Sequence, residues 1–280
     1  LYIRDDGSQD NTQAIIERYA EERPSRIRIL PFDGIRLGVN GNFVRLLESA
    51  DGPYFMFCDQ DDVWLPRKIE KSMDRMRFLK RQVPQGTPLL VYADLIPVDI
   101  DLHALYTSMW RYGLHNPDCG KRINRLVVQN MVFGCVILMN DALKQAALPL
   151  PPEAECYDWW FALVAASLGR SDYVREPLIL YRLHGRNAVG ATRWAVPYIL
   201  GKLRRFFDPK GLTAALERSQ RQAEALLRRY EGRLSLAQRE VLHAYATLRQ
   251  RGFLSRRSTL LRHGLLKTGL IRNVGLLARI

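Results

Sequence analysis

The feature that most constrains this chain is the alternation of short apolar runs and amphipathic segments along its first half. The apolar runs predict strands, and they lie at residues 1–4, 26–30, 53–58 and 89–93. Residues 40–50 and the stretch that follows Pro66 carry apolar side chains at helical spacing, which predicts helices. Strands that alternate with helices over short connections are typical of an α/β fold with a mostly parallel sheet flanked by helices.

The middle of the chain is less regular. Residues 95–125 combine proline, glycine and scattered aromatic residues, which predicts a long loop or lid with short helices. An apolar strand is predicted over residues 132–139, a helix over 158–168 and a last strand over 178–182. The α/β pattern therefore extends to about residue 190.

Charge separates the chain into two parts. Residues 1–190 carry 23 Lys or Arg against 24 Asp or Glu, whereas residues 191–280 carry 19 against 5. We therefore expect a nearly neutral α/β domain over residues 1–190 and a basic extension of amphipathic helices over residues 191–280. The predicted helices of this extension cover residues 198–207, 213–230 and 236–251.

The basic extension has three interpretations. It forms a solvated helical bundle, it docks on an anionic membrane surface, or it binds nucleic acid. Basic helices with an apolar face suit the lipid interface, and no nucleic-acid reader motif is present, so the sequence favours the membrane. No apolar stretch reaches the roughly 20 residues that a spanning helix needs.

Acidic residues follow three of the predicted strands. They are Asp5 and Asp6, the run Asp59-Gln60-Asp61-Asp62, and Asp94. Ligands of parallel sheets bind outside the carboxyl ends of the strands, and Mg²⁺ prefers carboxylate and phosphate oxygens. These acids therefore indicate a site for a metal and a diphosphate. The alternative is that they cap helices and make turns.

Five segments in this order resemble the rhamnosyltransferase-like branch of the family 2 glycosyltransferases. Residues 5–12 (DDGSQDNT) are similar to the D-D-G-S-x-D-x-T signature of the family. Residues 57–64 (FCDQDDVW) resemble its D-x-D region, and the Leu-Pro-x-Lys-Ile of residues 65–69 follows as in that branch. Residues 157–160 (YDWW) resemble H-D-W-W, and residues 181–190 (YRLHGRNAVG) resemble Y-R-x-H-x-x-N-x-x-G.

The resemblance implies a GT-A fold and an inverting, metal-dependent transfer of a sugar from a nucleotide-diphosphate donor. The branch implies dTDP-rhamnose as the donor, with a UDP-hexose as the alternative. A glycan or lipid-linked glycan would be the acceptor, in the synthesis of a bacterial surface polysaccharide such as O-antigen. We then expect a cytoplasmic protein at the inner face of the cell membrane, without a nucleic-acid partner.

The resemblance also carries roles to particular residues. Asp5 and Asp6 match the acids that contact the base and ribose of the donor. In the D-x-D pair, Asp59 would approach the ribose and Asp61 would bind Mg²⁺ or Mn²⁺. Asp158 matches the general base that deprotonates the acceptor hydroxyl, and His184 matches a further metal ligand or diphosphate contact.

Four more residues are candidates from their chemistry or position. Arg182 and Arg186 flank His184 and can pair with phosphate oxygens of the donor. Gly134 lies in a predicted apolar strand, where it either lets the acceptor approach or packs tightly. Trp159 either stacks on the acceptor sugar or packs in the core.

The beginning of the chain bears on activity. It opens in a predicted strand, with neither an initiator Met nor a charged-then-apolar leader. The family normally has another strand and helix before the position of Asp5, so we expect an upstream segment. The alternative function is a truncated, non-catalytic GT-A homologue that binds only glycan or membrane.

Overall fold

The structure is a computed structural model that describes residues 1–183 and 209–280. The predicted boundary at residue 190, the predicted helix over residues 198–207, and the candidate residues His184 and Arg186 lie outside the described residues. The chain divides into two compact units, Leu1–Phe55 and Met56–Ile280.

The smaller unit alternates strand and helix as predicted. Its elements are β1 (Tyr2–Ile3), α1 (Thr12–Glu22), β2 (Arg28–Ile29) and α2 (Gly38–Ser49). Strands β1 and β2 pair in parallel, with Tyr2 opposite Arg28 and Ile3 opposite Ile29. The next strand, β3 (Tyr54–Met56), crosses the boundary between the two units.

The larger unit contains the main sheet and most of the helices. From residue 63 to the end of the sheet its elements are β4 (Val63–Trp64), α3 (Lys68–Lys80), β5 (Leu89–Val98), α4 (Met109–Tyr112), α5 (Ile123–Leu126), β6 (Leu138–Asn140), α6 (Asp141–Ala147), α7 (Tyr157–Leu168) and β7 (Arg170–Arg182). Two 3-10 turns, Pro117–Lys121 and Gly134–Val136, lie between them.

The sheet of the larger unit is mixed rather than mostly parallel. Its strands run in the order β6-β5-β7-β4. The long central pair, β5 and β7, is parallel, whereas β6 pairs antiparallel with β5 and β4 pairs antiparallel with β7. The α/β class is confirmed. Strand direction was not predictable, because a short apolar run reads the same in either direction.

The core lies around β5 and α7. Nine of the ten residues of β5 are buried, and α7 buries nine of its twelve residues, among them Trp160 and Phe161. A helix that is apolar on all sides can be stable only when neighbours cover it on all sides. Helix α7 therefore forms the interior of the unit, and its first turn is held rigidly.

Three local predictions need correction. The predicted strand over residues 132–139 is a 3-10 turn, Gly134–Val136, followed by the short strand β6. Helix α3 begins at Lys68, two residues after Pro66. Strand β5 continues to Val98, so the predicted loop begins later, and it contains the expected short helices.

The described part of the basic extension packs onto the larger unit. It consists of α8 (Pro209–Tyr230), α9 (Leu236–Ala246), α10 (Phe253–Arg262) and α11 (Leu270–Arg279), with 3-10 turns at Glu231–Arg233 and Leu248–Gln250. The Tyr230 hydroxyl donates to the carbonyl of Ala146 over 2.6 Å, and Arg228 pairs with Glu153. Among the described helices, none combines the length and the hydropathy that crossing a membrane requires.

Candidate active site

The acid loop, Asp59 to Asp62, connects β3 to β4 and is held from the end of β7. The backbone N–H of Arg182 donates to Oδ1 of Asp62 over 3.1 Å, and its Nε donates to the carbonyl of Asp61 over 2.9 Å. Its Nη1 donates to the carbonyl of Ile100. The structure therefore gives Arg182 a positioning function, and its predicted contact with donor phosphate remains a prediction.

Two carboxylates of the acid loop come together with a thiol. Oxygen atoms of Asp59 and Asp62 and the Sγ of Cys135 all lie within 4.8 Å of one another. The Oδ2 atom of Asp62 is buried and has no hydrogen-bond partner among the described residues. The sequence left open that Asp62 caps α3. It does not, because the helix begins six residues later.

Two carboxylates of the acid loop, those of Asp59 and Asp62, are destabilised in their charged form. Burial, followed by the charges of Asp61 and Asp158, raises the pKa of Asp59 to about 6. Burial raises the pKa of Asp62 to about 7, and the charge of Asp59 adds to this shift against the hydrogen bond from Arg182. Desolvation and like-charge repulsion are both relieved when a cation binds.

A buried lysine lies beside the acid loop. Lys68 is 1% exposed, its Nζ donates to the carbonyl of Cys135 over 2.9 Å, and it lies 3.5 Å from the centre of the Trp64 ring. Burial lowers the pKa of Lys68 to about 8. The charges of Asp61 and Asp158 raise the pKa of Asp59, whereas the positive charge of Lys68 lowers it.

Asp158 lies in the first turn of α7 and accepts hydrogen bonds from two other parts of the chain. Asn130 Nδ2 donates to it over 3.2 Å and the backbone N–H of Gly134 over 3.0 Å, while the N–H of Trp159 donates over 2.6 Å. Burial raises its pKa despite these hydrogen bonds. The charge of Asp158 also contributes to the raised pKa of Asp59, after burial and the charge of Asp61.

The two residues predicted to contact the acceptor are packing residues in the structure. A Cβ on Gly134 would lie 2.1 Å from the hydroxyl oxygen of Tyr157, so only glycine fits there. Trp159 is buried, and its Nε1 donates to the carbonyl of Leu126 over 2.7 Å. For both residues the tight-packing alternative is the one that the contacts support, and Gly134 also orients Asp158.

In the smaller unit, Asp5 closes a tight turn. Its carboxylate accepts from the N–H of Gly7 over 3.1 Å and from the N–H and hydroxyl of Ser8. Gly7 has a φ of 89°, which favours glycine. Burial raises the pKa of Asp5, but the hydrogen bonds from Ser8 and Gly7 outweigh it, so the pKa is lowered overall.

Asp6 stabilises the start of α2. Its carboxylate accepts from the N–H groups of Leu37 and Gly38 over 2.8 Å each, and it pairs with the buried Arg4 over 2.7 Å. Burial raises the pKa of Asp6, but these bonds and the charge of Arg4 lower it overall. The contacts with donor base and ribose that were predicted for Asp5 and Asp6 remain predictions.

Asp94 does not end a strand, contrary to the prediction. It lies inside β5 and is buried, and its carboxylate accepts from the Ser108 hydroxyl and the backbone N–H groups of Leu95 and Trp110. This acid anchors the segment that leads into α4. It is therefore a structural residue, as the capping-and-turn alternative predicted.

The acid loop has the donor atoms that a hard divalent cation prefers. It offers one oxygen each from Asp59 and Asp62 at close range, an Asp62 oxygen is buried and unpaired among the described residues, and the charged forms of both acids are disfavoured. Mg²⁺ and Mn²⁺ therefore fit Asp59 and Asp62, and the role of Asp61 as a metal ligand stays a prediction. The thiol of Cys135 is buried and its pKa is raised by burial, which makes it a poor anionic ligand.

Comparison with known proteins identifies the family. The model of "Glycosyl transferase family 2" matches residues 1–137. The chain belongs to glycosyltransferase family 2. It is 30% identical over 198 residues to the dTDP-rhamnosyl transferase RfbG of Shigella flexneri, with 69% of this chain and 65% of RfbG covered. This similarity lies with the rhamnosyltransferase-like branch.

Other relatives agree with this assignment. The putative teichuronic acid biosynthesis glycosyltransferase TuaG of Bacillus subtilis is 26% identical over 198 residues, which cover 69% of this chain and 71% of TuaG. The chain spans 65% of the length of RfbG, which is just under two thirds.

Solved structures show the fold. The mannosyltransferase PcManGT of Pyrobaculum calidifontis, solved with GDP-Man and Mn²⁺, superimposes with a TM-score of 0.52 at 14% identity. The superposition covers 99% of this chain and 68% of that chain. The predicted GT-A fold of family 2 is confirmed, with its sheet mixed.

Three residues of this site carried no role in the sequence-based predictions. Asp62 was covered only by the general assignment of the acidic run to a metal and diphosphate site, and Lys68 was part of the Leu-Pro-x-Lys-Ile segment without a function of its own. Cys135 carried no signal at all, because it reaches the site only through tertiary packing. An acid directly after a D-x-D pair and a lysine six residues further on are the signals that were available.

Proposed function

We propose that this chain is an inverting, metal-dependent glycosyltransferase that transfers a sugar from a nucleotide-diphosphate donor to a glycan or lipid-linked acceptor. The observation that carries the proposal is the close approach of Asp59 and Asp62, whose oxygen atoms lie within 4.8 Å of each other, with Oδ2 of Asp62 buried and without a hydrogen-bond partner among the described residues. In the proposal this acid-rich loop binds the metal and the diphosphate, and Asp158 is the base for the acceptor. Sugar transfer requires both.

Asp158 is the general base of the proposal. It would take the proton of the acceptor hydroxyl as the oxygen forms a bond to the anomeric carbon and the bond from that carbon to the diphosphate breaks. Asn130 and the N–H of Gly134 hold its carboxylate in one orientation. Its raised pKa favours proton transfer, because a base works best when its pKa lies closer to the pH of the reaction.

The acid loop would hold the cation through Asp61, with Asp59 and Asp62 beside it, and His184 as the further predicted ligand. When bound, Mg²⁺ or Mn²⁺ neutralises the negative charge that develops on the departing diphosphate. Arg182 keeps the acid loop in place through its bonds to Asp61 and Asp62. Arg186 remains a predicted contact of the donor phosphates.

The donor and the place of action follow from the relatives and the charge pattern. The name of RfbG supports dTDP-rhamnose as the donor, with a UDP-hexose as the alternative. The name of TuaG, which refers to teichuronic acid biosynthesis, supports a role in bacterial surface polysaccharide synthesis, and O-antigen is proposed from the motif resemblance. A lipid-linked acceptor and the basic extension support a location at the cytoplasmic face of the membrane.

Titration calorimetry tests the donor site. We expect dTDP or UDP to bind the chain with Mn²⁺ and to bind at least tenfold more weakly without it, because the acid loop would hold the cation and the cation would offset the negative charge of the diphosphate. Asp61→Ala should abolish the dependence on Mn²⁺. The matched control is Asp74→Ala, which changes an exposed acid on α3 that pairs with Arg77.

The result also separates the two candidate functions. Nucleotide binding that ignores Mn²⁺, or that Asp61→Ala leaves unchanged, would contradict the proposed metal site. A folded chain that binds neither nucleotide would favour the alternative, a non-catalytic GT-A homologue that binds only glycan or membrane. Comparison of dTDP with UDP ranks the two donor classes.

A further inference from the structure

The last two helices expose apolar side chains on their outer sides. We refer to five of these side chains together as the outer face: Leu254 and Leu261 on α10, and Leu270, Ile271 and Val274 on α11. Leu254 is 78% exposed and Leu270 is 80% exposed. Several large apolar side chains left exposed on two consecutive helices indicate an interaction surface.

The orientation of both helices is set by the larger unit. Leu260 of α10 and Leu276 of α11 are buried, at 0% and 3% exposure. The connection between the helices is tied down as well, because Asn124 Nδ2 donates to the carbonyl of His263 over 3.0 Å and Arg125 Nη2 to that of Lys267 over 2.9 Å. The outer face is therefore formed by residues of α10 and α11 that stay exposed when Leu260 and Leu276 pack against the rest of the unit.

Every Asp, Glu, Lys or Arg side chain in the segment that carries the outer face is positive. No Asp or Glu occurs after Glu240. Arg256 and Arg257 donate to the carbonyls of Arg249 and Phe253, which are neutral acceptors and leave the charge of each guanidinium in place. Arg262, at the end of α10, is exposed.

These charges decide among the possible occupants of the outer face. A second copy of this chain would bring the same positive charges and repel the first. An anionic lipid surface offers acyl chains for the apolar residues and phosphates for the arginines. Amphipathic helices with an apolar side and Lys or Arg on their flanks lie in the plane of such a surface.

We propose that the outer face of α10 and α11 is the docking surface of this protein on an anionic phospholipid bilayer. The apolar residues enter the boundary between headgroups and acyl chains, and Arg257 and Arg262 pair with lipid phosphates. The proposal deepens the membrane location given above, and it names the segment responsible. It requires neither donor nor acceptor, so binding to lipid is testable independently of transfer.

Flotation with lipid vesicles tests the proposal on the full chain. We compare vesicles of phosphatidylcholine with vesicles of phosphatidylcholine and phosphatidylglycerol in equal parts. The chain should float with the anionic vesicles and remain with the unbound protein when vesicles are neutral. The double variant Leu254→Ser/Leu261→Ser should bind the anionic vesicles on the order of tenfold more weakly. Its control is Leu236→Ser, which removes an equally exposed leucine on α9.

A charge pair of variants tests the second half of the proposal. Arg257→Gln/Arg262→Gln should lower anionic-vesicle binding on the order of tenfold. Arg221→Gln/Arg233→Gln removes two exposed arginines outside the outer face and should bind like the parent chain. Circular dichroism confirms that each variant is folded, and all four substituted sites of the face are solvent-accessible or partly so, so folding should survive.

Three results would overturn the proposal. They are equal binding to neutral and anionic vesicles, loss of binding in the control variants as large as in the outer-face variants, and self-association of the chain that the leucine variant abolishes. The last result would assign the face to a second copy. The leucine variant should still bind nucleotide in an Mn²⁺-dependent manner. Such binding would show that the proposed transferase site is intact whether or not the membrane proposal holds.

Discussion

The two acidic clusters of this chain have opposite electrostatics. In the smaller unit, Asp5 and Asp6 accept hydrogen bonds from backbone N–H groups, and Asp6 also pairs with Arg4. Their pKa values are lowered, so their charged forms are stabilised by the fold. In the acid loop, Asp59 and Asp62 are desolvated and repel each other, and their pKa values are raised.

This difference in pKa separates acids that stabilise the structure from acids that are available for chemistry. A carboxylate that the fold already stabilises gains little from a cation, whereas a desolvated one gains much. Both clusters look alike in sequence, as neighbouring aspartates after a strand. Their partners, rather than their residue type, separate a turn from a candidate metal site.

Asp158 tests the comparison most severely, because it accepts hydrogen bonds as Asp6 does and yet has a raised pKa as Asp59 does. Asp158→Asn should lower the turnover of sugar transfer by about 10²–10⁴-fold, the usual contribution of a general base. Binding of the nucleotide should change little. Radiolabelled donor measures transfer, calorimetry measures binding, and Asp74→Asn is the control. Normal turnover in Asp158→Asn would place this carboxylate with the structural acids.

Paired substitutions in the two clusters should change stability in different ways. Asp6→Asn should lower the free energy of unfolding by about 2 kcal/mol, because it weakens the ion pair with the buried Arg4 and the bonds to Leu37 and Gly38. Asp62→Asn should leave it unchanged or raise it in metal-free buffer, because it removes a repelled charge. Urea denaturation followed by circular dichroism measures both. Equal losses would mean that the acid loop is as structural as the turn.

The pH dependence of stability should also differ between the clusters. Asp62 has a pKa of about 7 in the folded chain against 3.8 as the ordinary value. The folded state therefore holds a proton that the unfolded state has lost, so its contribution to stability falls as pH rises from about 4 to about 7. Asp5 and Asp6 have lowered pKa values, so their contribution is lost as pH falls below about 4.

Thermal unfolding over this pH range measures the two effects. Asp59→Asn/Asp62→Asn should flatten the decline between pH 4 and 7, and saturating Mn²⁺ should do the same in the parent chain, because both remove the repulsion. We expect this change in the pH dependence of stability to be smaller than the changes in turnover and in the free energy of unfolding predicted above, because water partly screens the acid loop. A decline that survives both treatments would assign it to other groups.

The α/β class, the order of most elements, the family and the basic extension followed from the amino-acid sequence alone. Apolar periodicity and turn residues are local signals, and each motif acts within a few neighbouring residues. Asp5, Asp61 and Asp158 were therefore found as motif members from their own neighbours. The last five residues of β7, 178–182, were predicted for the same reason, whereas its first eight residues were not.

The tertiary structure decided what depends on residues far apart in the chain. Lys68 donates a hydrogen bond to the carbonyl of Cys135, which is 67 residues away in the chain. The N–H of Gly134 donates to Asp158, which is 24 residues away. The mixed direction of the sheet, the inward use of Asp94 and the burial of Trp159 are of the same kind. Desolvation and close packing arise only when distant segments meet, so they decide which of several similar carboxylates is stabilised and which is left for a cation.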